Sequence, residues 1–126
     1  VYNQSRIVFN VSARSELNMR VFEALGSGAF LLTDKLPESE PPFKDGIHYV
    51  TYENKDDMAE KARYFLAHDE EREQIAQAGH EEALKAHSYM HRTLKILDIA
   101  GVPYDREKAT ALLPQVPDRG HVAAAA

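Results

Sequence analysis

Between Ser12 and Glu23 the sequence reads SARSELNMRVFE, which brings Ser12, Arg14, Glu16, Asn18, Arg20 and Glu23 into one short span. These are side chains that handle a charged, hydroxyl-rich ligand. Arginine binds phosphate through paired N–H donors, and an ionised carboxylate accepts hydrogen bonds from sugar hydroxyls. The backbone amides that open a helix favour an anion as well. Such a mixture suits a molecule carrying both phosphate and polyol, such as a nucleotide sugar. Each residue also has a plainer reading. Glu23 and Arg20 on an amphipathic helix are commonly solvated surface residues, and Gly26 and Gly28 serve close packing and a turn.

The elements that must position these residues are read from periodicity. RIVFNV (6–11) is β-branched and apolar on both faces, which predicts a buried parallel strand. A polar loop follows. Met19, Phe22, Leu25 and Gly26 then fall on one side of a helix that should end near Gly28, a natural residue just past a helix terminus. AFLLT (29–33) predicts a second buried strand, completing a strand–helix–strand unit. Ligands of open α/β sheets gather beyond the carboxyl ends of the strands, where loops enter helices. Here that place is the segment 12–23.

Downstream, residues 34–46 hold three prolines and several acids and predict a loop. IHYVTY (47–52) predicts a third strand. A helix over 56–68 is expected with Asp56 as its N-cap and Met58, Ala62, Phe65 and Leu66 on one face. A second helix over 69–87 starts on acids that complement its dipole, and Gly79 within it marks a bend or a packing contact. A third runs over 89–101, with Leu94, Ile96, Leu97 and Ile99 apolar. Residues 103–126 form an extension without a core pattern, helical at most over YDREKATALL and closing on an alanine run of the kind cloning leaves behind. The expected fold class is therefore α/β: a Rossmann-like half-domain over 1–102, with a short parallel sheet and C-terminal helices. Three strands make a small sheet and the sequence lacks an initiator Met, so a fragment of a longer protein is expected.

Composition removes several alternatives. The chain has 126 residues and a net charge of −5, which argues against a nucleic-acid partner. It has no cysteine, so thiolate metal sites and thiol nucleophiles are excluded. No apolar run approaches the roughly 20 residues of a membrane span. A cytoplasmic location is the expectation. HEEALKAH begins like a zinc helix motif, but Leu84 stands where the second histidine belongs. His87 and His91 are four apart without an evident third ligand, so no metal is assigned. HSYMHR is better read as packing a helix junction, with Arg92 in a salt bridge.

The run SRIVFNVS…ELNMRVFEALGSGAFLLTD…FKDGIHYVTYENKDDMAEKARYFLAHDEEREQIAQAGHE…HSYMHRTLKIL resembles the C-terminal half of GT-B glycosyltransferases, in particular the CgeB-like branch of the group 1 family. The resemblance covers roughly residues 2 to 98. It implies that this chain is the donor-binding part of a larger GT-B enzyme, with the acceptor bound by another half. It also implies sugar transfer from a nucleoside diphosphate sugar to an acceptor the sequence does not name, with no cofactor or essential metal. By the family's paired-glutamate motif Glu23 would bond the ribose hydroxyls. Glu16 would touch the donor sugar and hold the catalytic place, while Ser12, Arg14, Asn18 and Arg20 complete the substrate-binding set. The family motif leaves seven residues between its glutamates and this sequence leaves six; one residue rotates a helical side chain by about 100°. That departure, with the acidic, proline-rich loop, is what favours the alternative: a non-enzymatic α/β assembly module with a degenerate ligand site.

Overall fold

The computed structural model describes residues 4–12, 17–36 and 43–116. Three short strands, β1 (Val8–Asn10), β2 (Leu31–Asp34) and β3 (Val50–Tyr52), share these residues with five helices. The helices are α1 (Met19–Gly26), α2 (Lys55–Ala67), α3 (Asp69–Ala86), α4 (Tyr89–Ala100) and α5 (Arg106–Ala111). The sheet order is β1-β2-β3 and both pairings are parallel, with Phe9 opposite Leu32 and Thr33 opposite Thr51. This is the α/β, Rossmann-like half-domain with a short parallel sheet that the sequence predicts. The expected site residues Arg14 and Glu16, the loop positions 37–42 and the end of the chain from 117 onward lie outside the described residues.

β2 is the central strand and is apolar on both faces because both are covered. Leu31 joins a cluster with Val8, Val21, Ala24 and Leu25, while Leu32 joins Phe30, Val50, Phe65 and Ile75 on the other side. Removing each of these leucines from water contributes about 1.5–3 kcal/mol. β1 departs from the two-sided burial expected of it. α1 packs on the Val8 side, and Phe9, which points to the opposite face, stays 46% exposed.

α1 is amphipathic, but its buried stripe is Val21, Ala24 and Leu25. Met19 is exposed and Phe22 only half-buried, so the expected stripe of Met19, Phe22, Leu25 and Gly26 is rotated about one residue. Val21 and Ala24 offer the compact surface that lets the helix lie close against Leu31 and Ala83. The helix stops as expected. Gly28 adopts φ +76° and its amide returns to the Leu25 carbonyl at 3.0 Å.

β3 is shorter than the strand predicted over 47–52. Gly46 at φ +75° opens a tight turn in which the His48 amide donates to the Lys44 carbonyl and the Lys44 amide to His48 Nδ1. Those local bonds take up the backbone groups that a longer ladder would use. The N-cap of α2 is Asn54 rather than Asp56: Asn54 Oδ1 accepts from the amides of Asp56 and Asp57, each at 3.0 Å. Asp56 instead lies in the first turn, where its charge suits the dipole. On α2, Phe65 is buried and Met58 and Ala62 pack against the same cluster as expected, while Leu66 is exposed and departs from the expected apolar face.

α3 carries Ile75 and Ala76 to one cluster and Ala83 to the other, so it ties the two halves of the core together. Gly79 is the packing contact: a Cβ there would meet the His48 carbonyl oxygen at 2.5 Å and Leu25 Cδ2 at 2.8 Å. α4 runs from its Ser88 cap to Gly101 at φ +65°, yet buries no residue. The helix read over 89–101 is present, but of its apolar residues Ile96 and Ile99 are 64% and 79% exposed and Leu94 and Leu97 only half-buried. α5 falls within the stretch 104–113 read as helical.

Candidate functional site

The carboxyl ends of β1 and β2 carry polar residues where an apolar core would be expected to continue. Asn10 and Thr33 are both fully buried. Burying such groups is tolerable only when they bond one another, and here they do. Asn18 Nδ2 donates to Asn10 Oδ1 at 3.2 Å and Asn10 Nδ2 donates to Thr33 Oγ1 at 3.0 Å. The Thr33 hydroxyl then donates to Asp34 Oδ1 at 3.1 Å. The Ser12 amide donates to both carboxylate oxygens of Asp34, at 2.9 and 3.0 Å, which holds the chain where it leaves β1. From β3 the Tyr52 hydroxyl donates to the Asn10 carbonyl at 3.0 Å. Burial, and secondarily the charge of Asp34, raises the Tyr52 pKa and keeps that hydroxyl a donor.

The expected site residues fall into three groups. Ser12 is buried and Asn18 occupies the N-cap position of α1, and both belong to this polar chain. Asn18 has extended backbone and its side chain does not cap the helix. It bonds Asn10 instead, and its Oδ1 is buried with no hydrogen-bond partner among the described residues. Arg20 and Glu23 lie on the exposed side of α1, three residues apart and so on neighbouring positions of one face. Arg14 and Glu16 lie outside the described residues. Asn10, Thr33, Asp34 and Tyr52 are missing from the sequence-derived set. The signal was present in IVFN and FLLTD: polar residues closing apolar strands mark the carboxyl ends.

Behind the outward face of α1 is an aromatic cluster. Phe22 meets Phe43 edge-on at 5.6 Å, and the His87 ring lies 5.2 Å from Phe43 and 6.4 Å from Phe22. The Arg92 guanidinium lies over Phe22 at 4.3 Å, a cation–π contact where a salt bridge was expected. The two histidines four apart have separate neighbours: His87 in this cluster and His91 on the Ser88 hydroxyl at 2.7 Å. Burial lowers the His87 pKa; Glu82 opposes the shift while Arg92 and His91 add to it. No group of three histidine or acidic side chains among the described residues could hold a metal.

A concavity of about 330 Å³ opens at the amino ends of the strands beside Arg6, Phe30, Asp69 and Arg72. Its charges are spent on each other. Arg72 donates to the Asp69 carboxylate and to the Phe65 carbonyl, and that bond holds Asp69 below the ordinary carboxylate range. The carboxyl-end site differs in having an acceptor, Asn18 Oδ1, without a donor among the described residues.

The chemistry at the carboxyl ends is thus a rigid set of donors and acceptors around the entry to α1, with an arginine and a carboxylate on the outward helix face. No helix of the described residues is long and apolar enough to cross a membrane. No curated protein and no solved structure matches the chain. The family model described as Glycosyl transferase-like matches residues 1–98, a span that contains the whole sheet, α1 to α3 and the site. The chain belongs to this glycosyl transferase-like family.

Proposed function

We propose that the chain is the donor-binding part of a GT-B glycosyltransferase of the CgeB-like branch, and that its ligand is a nucleoside diphosphate sugar. The observation that carries the reading is the meeting of the β1 and β2 carboxyl ends with the entry to α1, inside the family-matched span. Strand ends and a helix N-terminus are where an open α/β sheet takes a phosphate-bearing ligand. The diphosphate is assigned to the amides of the first turn of α1 with Arg14 and Arg20, which also stabilise it as it departs. Glu23 lies about 7.5 Å further along the helix than Asn18, a distance that lets it bond the ribose while the diphosphate stays at the helix entry. Glu16 is assigned to the donor sugar and Ser12 to the strand-end loop. The acceptor is bound by another part of the enzyme.

Titration of the protein with UDP, GDP and ADP up to millimolar concentration, followed by amide chemical shifts, tests this reading. Shifts grouped on residues 10–23 and 33–34 are expected. Silence towards all three nucleotides, or shifts grouped instead around Arg6 and Arg72, would refute it.

A further inference from the structure

The chain Asn18–Asn10–Thr33–Asp34, buried at its two middle members and part-buried at its ends, has a direction, and Asp34 sets it. Two arrangements of the same side chains satisfy the internal bonds. In one, the Thr33 hydroxyl donates to Asp34, Asn10 turns its NH₂ to Thr33, and Asn18 turns its NH₂ to Asn10. In the other, every amide is flipped and the Thr33 hydroxyl donates to Asn10, leaving the carboxylate without that donor. An ionised carboxylate only accepts, and bonds to it are stronger than bonds between neutral groups. The first arrangement is therefore favoured, and it is the one seen. Its consequence appears at the far end. The Asn18 carboxamide is left with its oxygen turned away from the chain, and that oxygen is buried without a donor among the described residues.

We propose that Asp34 is a positioning residue that holds Asn18 Oδ1 as a hydroxyl acceptor, and that Asn18 reads a hydroxyl of the donor sugar rather than the diphosphate. The inference rests on the nucleotide-sugar reading above. A fixed acceptor repels phosphate oxygens and matches a sugar O–H, so the polarity of this hydrogen-bonded chain becomes a choice between parts of the ligand. Asn18 is suited to this task because its side chain makes no cap bond to α1 and is committed to the strand end instead. Replacing Asp34 by asparagine removes the charge that orients the chain. The carboxamide introduced there could then donate to Thr33, and the amides could turn so that Asn18 presents its NH₂.

The test compares UDP with UDP-glucose, and GDP with GDP-mannose, by calorimetry on the intact protein and on Asn18→Ala, Asp34→Asn, Thr33→Val and Thr33→Ser. Losing one neutral hydrogen bond weakens binding by about threefold to tenfold. Asn18→Ala, Asp34→Asn and Thr33→Val are expected to lower affinity for the sugar nucleotide by that factor and leave the bare nucleotide unchanged. Thr33→Ser, which keeps the hydroxyl, is expected to keep the wild-type ratio. Thermal melts identify any variant that fails to fold, and a folded pair from this set decides the matter. Equal weakening of both ligands, or no change in either, overturns the proposal and leaves donor binding standing. A wild-type protein that binds neither ligand overturns the donor reading itself. In the ligand-free protein, the Asn18 side-chain amide resonances are expected to move in Asp34→Asn; unchanged resonances count against an orienting role.

Discussion

Gly79 allows a test of sign as well as size. It lies in α3 where that helix crosses the 44–49 turn and α1, and an added Cβ would stand 2.5 Å from the His48 carbonyl oxygen and 2.8 Å from Leu25 Cδ2. Helix propensity alone favours alanine over glycine by about 1 kcal/mol. Overpacking costs about 1–3 kcal/mol, and two features place this site in the upper part of that range. Leu25 is fully buried, so its side chain has little room to swing away. The other obstacle is backbone, held by the 2.9 Å bond from the His48 amide to Lys44. The expected net effect of Gly79→Ala is a loss of about 1–2 kcal/mol, or a melting temperature lower by about 4–8 °C. Gly26→Ala is the matched control: it lies in α1 with nothing within 4 Å of a new Cβ, and should gain up to about 1 kcal/mol. Urea and thermal unfolding followed by circular dichroism measure both. If Gly79→Ala matches or exceeds wild-type stability, the close approach of α3 to α1 and the turn is wrong.

Three further outcomes are expected. If Glu23 bonds the ribose, Glu23→Gln weakens a nucleoside diphosphate by roughly tenfold to a hundredfold, the scale of a lost bond to a charged group. Glu16→Gln acts chiefly on the sugar nucleotide, and Glu71→Gln, on α3, does nothing; equal effects of Glu23 and Glu71 in a binding titration would misplace the site. Because burial holds the His87 and His48 pKa values below their ordinary 6.5, the unfolded chain takes up more protons than the fold once the pH drops below that value. Stability should therefore fall on acidification from about pH 7, and His87→Phe, which keeps an aromatic ring against Phe22 and Phe43, should flatten that slope in denaturant titrations. Arg72→Met strips the donor from the Phe65 carbonyl and from Asp69; since Asp69 is half exposed and water can take over its charge, the cost should be about 1–2 kcal/mol rather than that of a fully buried pair. A change under 0.5 kcal/mol in urea unfolding would mean that Arg72 is not held as described.

The order of elements, the parallel character of the sheet and the strand-end junction where polar residues gather were all legible in the linear chain. Those follow from local patterns: β-branched and apolar runs at RIVFNV and AFLLT, glycine at position 28 where the chain needs positive φ, and polar residues crowded after the first strand. Belonging to a glycosyl transferase-like family was legible for the same reason, since its residues lie in contiguous motifs. Packing settled what depends on partners distant in the chain. The stripe of α1 turns on Val21, Ala24 and Leu25 because α3 and β2 approach from that side, a fact no helical wheel contains. α4 keeps Ile96 and Ile99 exposed even though its pattern reads as a core helix, because amphipathicity states what a face could bury and not what arrives to cover it. Asp34 joined the site only when β1 and β2 were laid side by side. Its bonds to Ser12, 22 residues earlier, and through Thr33 and Asn10 to Asn18 arise from strand register, and register fixes which distant polar groups must satisfy each other once water is gone.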